Sequence, residues 1–201
     1  MHVRPSHPKN INHLAHAVSQ AFFDDPLFQY FFPDEATRLQ LSFYTFKFII
    51  AHALQKGFVS ETSAALEGIF VVLPSDHIHR GVMDQIRFGA LQMLLRQGGA
   101  ALNRQKTASE YMKSLHAHYL SRPHLYWSTI AVAAGSRGQG FASALMRPML
   151  AKADAAERPC YLDTHNEDNV RLYQHFGFRV VHDSMIPHSP VRHWAMIRDG
   201  R

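Results

Sequence analysis

The sequence predicts a mixed α/β domain: a central, largely antiparallel sheet with one parallel strand pair, flanked by helices. Three observations carry that expectation. Residues 125–164 read as strand, Gly-rich turn, helix and strand, the order of a right-handed βαβ unit with parallel strands. The N-terminal part repeats apolar residues at helical spacing, and short runs at 58–62, 66–73, 178–185 and 193–198 read as further strands.

Taken in order, residues 10–23 set Ile11, Leu14, Ala15, Val18 and Phe22 on one helical face before Asp24-Asp25-Pro26 breaks the run. Residues 34–54 read as a second helix, with Leu39, Phe43, Phe46 and Ile50 as its buried stripe and Gly57 as its stop. Two strands follow, joined by the small-residue turn Ser63-Ala64-Ala65 and closed by Pro74. Between residues 77 and 118 the pattern is helical again, with Ile86, Ala90, Met93 and Leu94 as one face, Tyr111, Leu115 and Tyr119 as another, and Gly98-Gly99 separating them. A strand over Leu125–Val132, a helix over 140–156, a strand over Cys160–Thr164 and a helix over 167–176 complete the α/β order, before Gly177 and the last two strands.

At 201 residues the chain suits one core, so residues 1–201 are read as a single domain. Its 46% hydrophobic and 18% charged residues are those of a folded globular chain. The first ten residues lack an apolar h-region, and apolar runs such as 46–53 fall far short of the roughly 20 residues a membrane span needs. Cys160 is the single cysteine, which excludes an intramolecular disulfide and a thiolate metal cage and makes a reducing cytoplasm the expected setting. A net charge of +5 favours anionic partners. The Lys and Arg residues are scattered, however, so a nucleic-acid partner is not expected. No metal is expected either, because His77-Ile78-His79, His116-Ala117-His118 and the His13/His16 pair lack the spacing of a catalytic zinc site.

The turn at Ala133-Ala134-Gly135-Ser136-Arg137-Gly138-Gln139-Gly140-Phe141-Ala142 follows a strand and opens a helix. Glycines there admit close backbone approach, and free N–H groups at a helix N-terminus suit a pyrophosphate. The run lacks the Gly-Lys-Ser/Thr ending of a P-loop and the spacing of a dinucleotide fingerprint. It resembles the Arg/Gln-x-x-Gly-x-Gly/Ala loop of the GCN5-related N-acetyltransferase (GNAT) superfamily. About 30 residues on, Asn166-Glu167-Asp168-Asn169-Val170-Arg171-Leu172-Tyr173-Gln174-His175-Phe176-Gly177-Phe178 resembles that family's Asn-x-x-Ala/Asn-x-x-Leu/Phe-Tyr-x-x-x-Gly-Phe signature. The close match covers residues 125–178. Asp25-Pro26 and an Arg-His-Trp strand near the end extend it more weakly. Ala134 departs from the family's frequent Pro, which loses rigidity but no chemical group.

The resemblance implies a GNAT-like sheet whose parallel strands splay apart, with acetyl-CoA as acyl donor. It assigns the pyrophosphate to backbone N–H groups of Arg137, Gly138, Gln139, Gly140, Phe141 and Ala142, and the pantetheine arm to Ile130, Ala131 and Val132. Asn166 and Asn169 would hold the cofactor or an ordered water, and Asn166 equally suits a helix N-cap. Tyr173 is expected to protonate the departing thiolate, with core packing as the alternative. Asp163 would deprotonate the amine directly or through water, or else cap the following helix or pair with an Arg. His165 is a third candidate base, against an ordinary place on a surface loop.

The function so implied is transfer of an acetyl group from acetyl-CoA, or a related acyl-CoA, to a primary amine by direct attack on the thioester. The expected partners are that donor and a small-molecule amine or peptide acceptor, with no nucleic acid and no membrane, and the chain acting as monomer or homodimer. A non-catalytic acyl-CoA-binding regulator is the alternative, and an RNA-binding protein using the basic Gly-rich loop is a more distant one.

Overall fold

The computed structural model describes residues 3–78 and 81–200. In chain order its elements are β1 (Arg4–Pro5), α1 (Ile11–Ala21), α2 (Pro26–Phe31), α3 (Glu35–Lys56), β2 (Phe58–Glu61), β3 (Gly68–Pro74), α4 (Val82–Phe88), α5 (Ala90–Tyr119), β4 (Leu125–Val132), α6 (Phe141–Ala155), β5 (Cys160–Thr164), α7 (Glu167–His175), β6 (Arg179–Met185) and β7 (Arg192–Arg198).

Seven strands form one sheet in the order β1-β2-β3-β4-β5-β7-β6. Neighbours run antiparallel except β4 and β5, which are parallel. The mixed, mostly antiparallel sheet with one parallel pair is the architecture expected from the sequence. That parallel pair is short: Leu125, Tyr126 and Trp127 face Cys160, Tyr161 and Leu162. Beyond Trp127 the two strands part, while β4 stays bonded to β3 as far as Val132 and β5 to β7 as far as Thr164. The divergence leaves one edge of Ser128–Val132 without a strand partner in the middle of the sheet, where backbone donors and acceptors must find another partner or water.

Strand alternation divides the core between two faces. Ile69, Val71 and Leu73 of β3 pack with Leu14 and Val18 of α1 and Phe46 and Ile50 of α3. Phe70 and Val72 point the other way, against Leu145 and Met146 of α6 and Val170 and Tyr173 of α7. Complete burial of side chains such as Phe46 or Ile50 stabilises the fold by about 1.5–3 kcal/mol each. Helix ends follow local chemistry. Asp34 accepts a hydrogen bond from Ala36 N to start α3, and Glu35 and Lys56 sit at the dipole-favoured ends.

The structure departs from the sequence reading in three places. Asp24-Asp25-Pro26, read as a break, is also a start: Asp25 caps α2 and Pro26 takes its first position. That six-residue helix, like the two-residue β1, is too short for periodicity to reveal. The helical section after residue 81 divides at Gly89 as well as at the expected Gly98-Gly99, where Gly98 leaves helical backbone (φ 75°, ψ 160°) and α5 is two helices joined across a kink. Ile86 and Leu94 of its expected apolar face are exposed, together with Val82, Met83, Leu91 and Leu95. Among the described residues no helix is long and apolar enough to cross a membrane.

Candidate active site

The parting of β4 and β5 opens two cavities that meet. The first, of about 520 Å³, is lined by Ile130, Ala131 and Val132 of β4, the loop residues Arg137, Gly138 and Gly140, Phe141 and Ala142 of α6, and Asn166, Asn169 and Tyr173. The second, of about 480 Å³, is lined by aromatic and aliphatic side chains of α2, α3 and α5, by the polar Gln105, Lys106, Ser109 and Lys113 of α5, and by Tyr126, Ser128, Thr129, Asp163 and His165. Phe22, Asp25, Ile130, Asn169 and Tyr173 line both.

At the head of the first cavity Gly138 and Gly140 adopt φ of 76° and 84°, a left-handed backbone that side chains rarely take. A Cβ at either position would meet nothing within 4 Å, so the loop presents bare backbone to open space. Among the described residues no side chain caps α6, which leaves its first N–H groups available at the positive end of the helix. These features fit a pyrophosphate, and the unpaired β4 edge fits an extended amide-bearing arm. Arg137 donates Nη2–H to Ala21 O at 2.9 Å, tying the loop to α1. Gln139, expected to bind the cofactor, instead donates its side-chain amide to Gly135 O and does not line the cavity.

Asn166 accepts from Asp168 N at 2.9 Å and caps α7 while lining the first cavity, so the capping and cofactor-facing positions coincide. Tyr173 lies about two turns further along α7, buried against Phe178 in the core cluster that also holds Trp127, and at the junction of the cavities. Burial, and secondarily the charge of Asp25, pushes its phenol above the usual range, so it holds its proton. Asp25 was read from the sequence as a helix breaker and as part of a weakly resembling Asp-Pro, with no chemical role. Its Oδ1 accepts from Leu27 N and Phe28 N, and burial pushes its carboxyl up to about 6 against those two bonds. A carboxyl so tuned, beside a protonated phenol, is an acid–base pair.

Asp163 sits where the strands part. Its oxygens accept from Tyr126 OH and Tyr161 OH, each at 3.1 Å, and burial pushes the carboxyl up to about 7. It does not cap α7, whose cap is Asn166. His165, for which a surface loop was the ordinary expectation, is partly buried and lines the second cavity. Its Nε2 is 3.2 Å from Nδ1 of His193 on β7, a residue that sequence reasoning missed. Burial lowers both imidazoles, His165 to about 3 and His193 to about 4. Burial also pushes the Cys160 thiol up to about 12, which keeps it un-ionised and unsuited to act as a nucleophile. Of the histidine pairs, His116 is buried with its Nε2 against His124 Nε2, His13 and His16 are exposed, and His79 lies outside the described residues.

Comparison with known proteins gives the same architecture. Residues 98–178 match the acetyltransferase (GNAT) family. A solved structure described as histone acetyltransferase HPA2 and related acetyltransferase, from Corynebacterium glutamicum, superposes with a TM-score of 0.70 at 17% identity, over 99% of this chain and 96% of its own. Arylalkylamine N-acetyltransferase 2 from Aedes aegypti gives 0.64 at 12% identity, over 100% and 99%. The NatC complex bound to Gag peptide and CoA gives 0.56 at 15% identity, over 100% and 98%. At these identities the superpositions establish the fold, which is GNAT-like.

Proposed function

From a GNAT-family match over residues 98–178 on a GNAT-like fold, we propose that this chain is a single-domain N-acyltransferase that moves an acetyl group from acetyl-CoA to a primary amine. The observation that carries the reading is the meeting of two cavities at Asp25 and Tyr173. One has the backbone chemistry for a pyrophosphate and an extended arm, and the other has room for an amine with an apolar body.

In this reading the Gly138–Ala142 backbone holds the pyrophosphate of the donor, and Ile130, Ala131 and Val132 bond its pantetheine arm along the open edge of β4. Asn166 and Asn169 flank the arm. The thioester then lies at the junction, where an N–H of β4 polarises its carbonyl. The amine enters through the second cavity, whose walls include Phe28, Phe46 and Ile49, and attacks the carbonyl carbon directly. A C–N bond forms, the C–S bond breaks, and Asp25 takes the proton that the attacking nitrogen sheds. Tyr173 gives its proton to the departing thiolate and regains one from Asp25.

The test is thiol release from acetyl-CoA across a panel of primary amines and N-terminal peptides. Acceptor-dependent release, slowed by about 100-fold or more in Tyr173→Phe, is expected. Donor binding without turnover on any acceptor would instead make the chain an acyl-CoA-binding regulator.

A further inference from the structure

We propose that the acceptor is a small-molecule amino carboxylate, a primary amine whose apolar body ends in a carboxylate remote from the nitrogen, and that Lys106 and Lys113 of α5 select it. The inference rests on the acyltransfer reading and names the substrate class of the same site.

The second cavity is polarised. Its apolar walls include Phe28 of α2 and Phe46 and Ile49 of α3. Two carboxyl groups line it: Asp25 at the junction with the donor cavity, and Asp163 where β4 and β5 part, its side chain only 6% exposed. Among the described residues, Lys106 and Lys113 are the only lysines or arginines in the lining. Neither lines the first cavity, so they serve the acceptor rather than the phosphates of the donor. Both are exposed, which leaves their stems bordering the cavity and their ammonium groups at its mouth. Carboxyl groups inside and ammonium groups at the rim match a molecule that enters nitrogen first and leaves a carboxylate outermost.

Helix geometry brings the two lysines to one side. Lys106 and Lys113 lie two turns apart on one face of α5, about 10 Å along its axis, and Ser109 lines the cavity between them. Gln105 fixes that face against α3: its Nε2 donates to Gln97 Oε1 at 3.0 Å, and its Oε1 accepts from Thr45 at 3.0 Å. Its amide is thereby committed to the wall, whereas the Ser109 hydroxyl can donate to a carboxylate lying between the lysines. Lys106 meets Glu110 at 3.9 Å, an exposed i,i+4 pair of little strength whose carboxylate does not line the cavity. Lys113 makes no ion pair among the described residues. Both ammonium groups are therefore open to an incoming carboxylate, and both repel an acceptor whose far end is cationic.

Three acceptors of one shape test the selection: para-(aminoethyl)benzoate, phenethylamine and para-(aminoethyl)benzylamine, whose far ends carry a carboxylate, a hydrogen and an ammonium. In the parent at low salt, kcat/KM read as thiol release from acetyl-CoA should be about 10-fold or more higher for the benzoate than for the diamine, with phenethylamine between. The gap should narrow in about 0.5 M salt. In the double variant Lys106→Glu, Lys113→Glu the order should reverse, which general damage to the fold cannot produce. Equal values for the three in the parent, or an order that the variant leaves unchanged, overturns the proposal. An N-terminal peptide with an acidic residue near its start, if it outruns the benzoate, makes the acceptor a peptide and overturns the small-molecule assignment. Binding is read separately by calorimetry of para-(aminoethyl)benzoate on protein saturated with CoA. The parent should bind it about 5-fold or more tightly than Lys106→Gln, Lys113→Gln, and equal affinities overturn the proposal. If binding follows the lysines while no acceptor releases thiol, the acyltransfer reading fails and the ligand class stands.

Discussion

Arg198 grips Asp154 through two parallel hydrogen bonds, Nη1 to Oδ1 at 2.7 Å and Nη2 to Oδ2 at 2.9 Å, and its Nε donates to Phe176 O at 3.1 Å. One buried guanidinium thus joins β7 to the ends of α6 and α7. Arg198→Gln should destabilise the fold by about 1–3 kcal/mol, since it removes the charge-assisted fork to Asp154 and the bond to Phe176 O. Arg198→Lys should restore only part, because an ammonium cannot make the fork. Urea unfolding of the two variants checks this, and equal stability to the parent would show that the fork contributes nothing.

The Gly138–Gly140 loop should lose acetyl-CoA when either glycine becomes Asp. A carboxylate there repels the pyrophosphate, and the left-handed backbone disfavours any side chain. No core contact is disturbed, so circular dichroism should be unchanged while the thermal shift given by saturating acetyl-CoA disappears. A folded variant that binds as tightly as the parent would move the phosphate site elsewhere.

Tyr173→Phe keeps the ring against Phe178 and removes only the hydroxyl that carries the proton. Acetyl-CoA affinity should survive, while single-turnover acetyl transfer falls by about 100-fold or more. A core role alone predicts parent-like chemistry with a small change in melting temperature.

Asp25→Asn isolates the junction carboxyl, because Asn caps a helix as well as Asp does. Turnover in the parent should rise with pH through about 6 as Asp25 loses its proton, and the variant should lose both that limb and most of the rate. The stability effect has the opposite sign. A folded pKa raised from 3.8 to about 6 means that the native state binds the proton more tightly. Parent stability relative to the variant should therefore fall as pH rises from about 4 to about 6 and level off above. Denaturant titrations at the ends of that window measure it, and a flat difference would show that Asp25 is not buried as described.

The local chemistry was legible in the residues alone. The glycine turn, the helix it opens and the Asn166–Phe178 run each depend on neighbours within a few positions, and 3.6-residue and 2-residue periods place most helices and strands to within two residues. Asp163 and Tyr173 stand out through the resemblance of the surrounding run to the GNAT signature, not through periodicity. What the periods do not encode is which distant segments become neighbours. Only the sheet order sets β7 beside β5, and only that order brings His193 against Asp163 and His165. Asp25, indistinguishable in sequence from an ordinary helix cap before proline, acquires chemistry only where its helix start meets Tyr173 between two cavities. A residue's role as base depends on desolvation and on partners far along the chain, and those are properties of the packed fold.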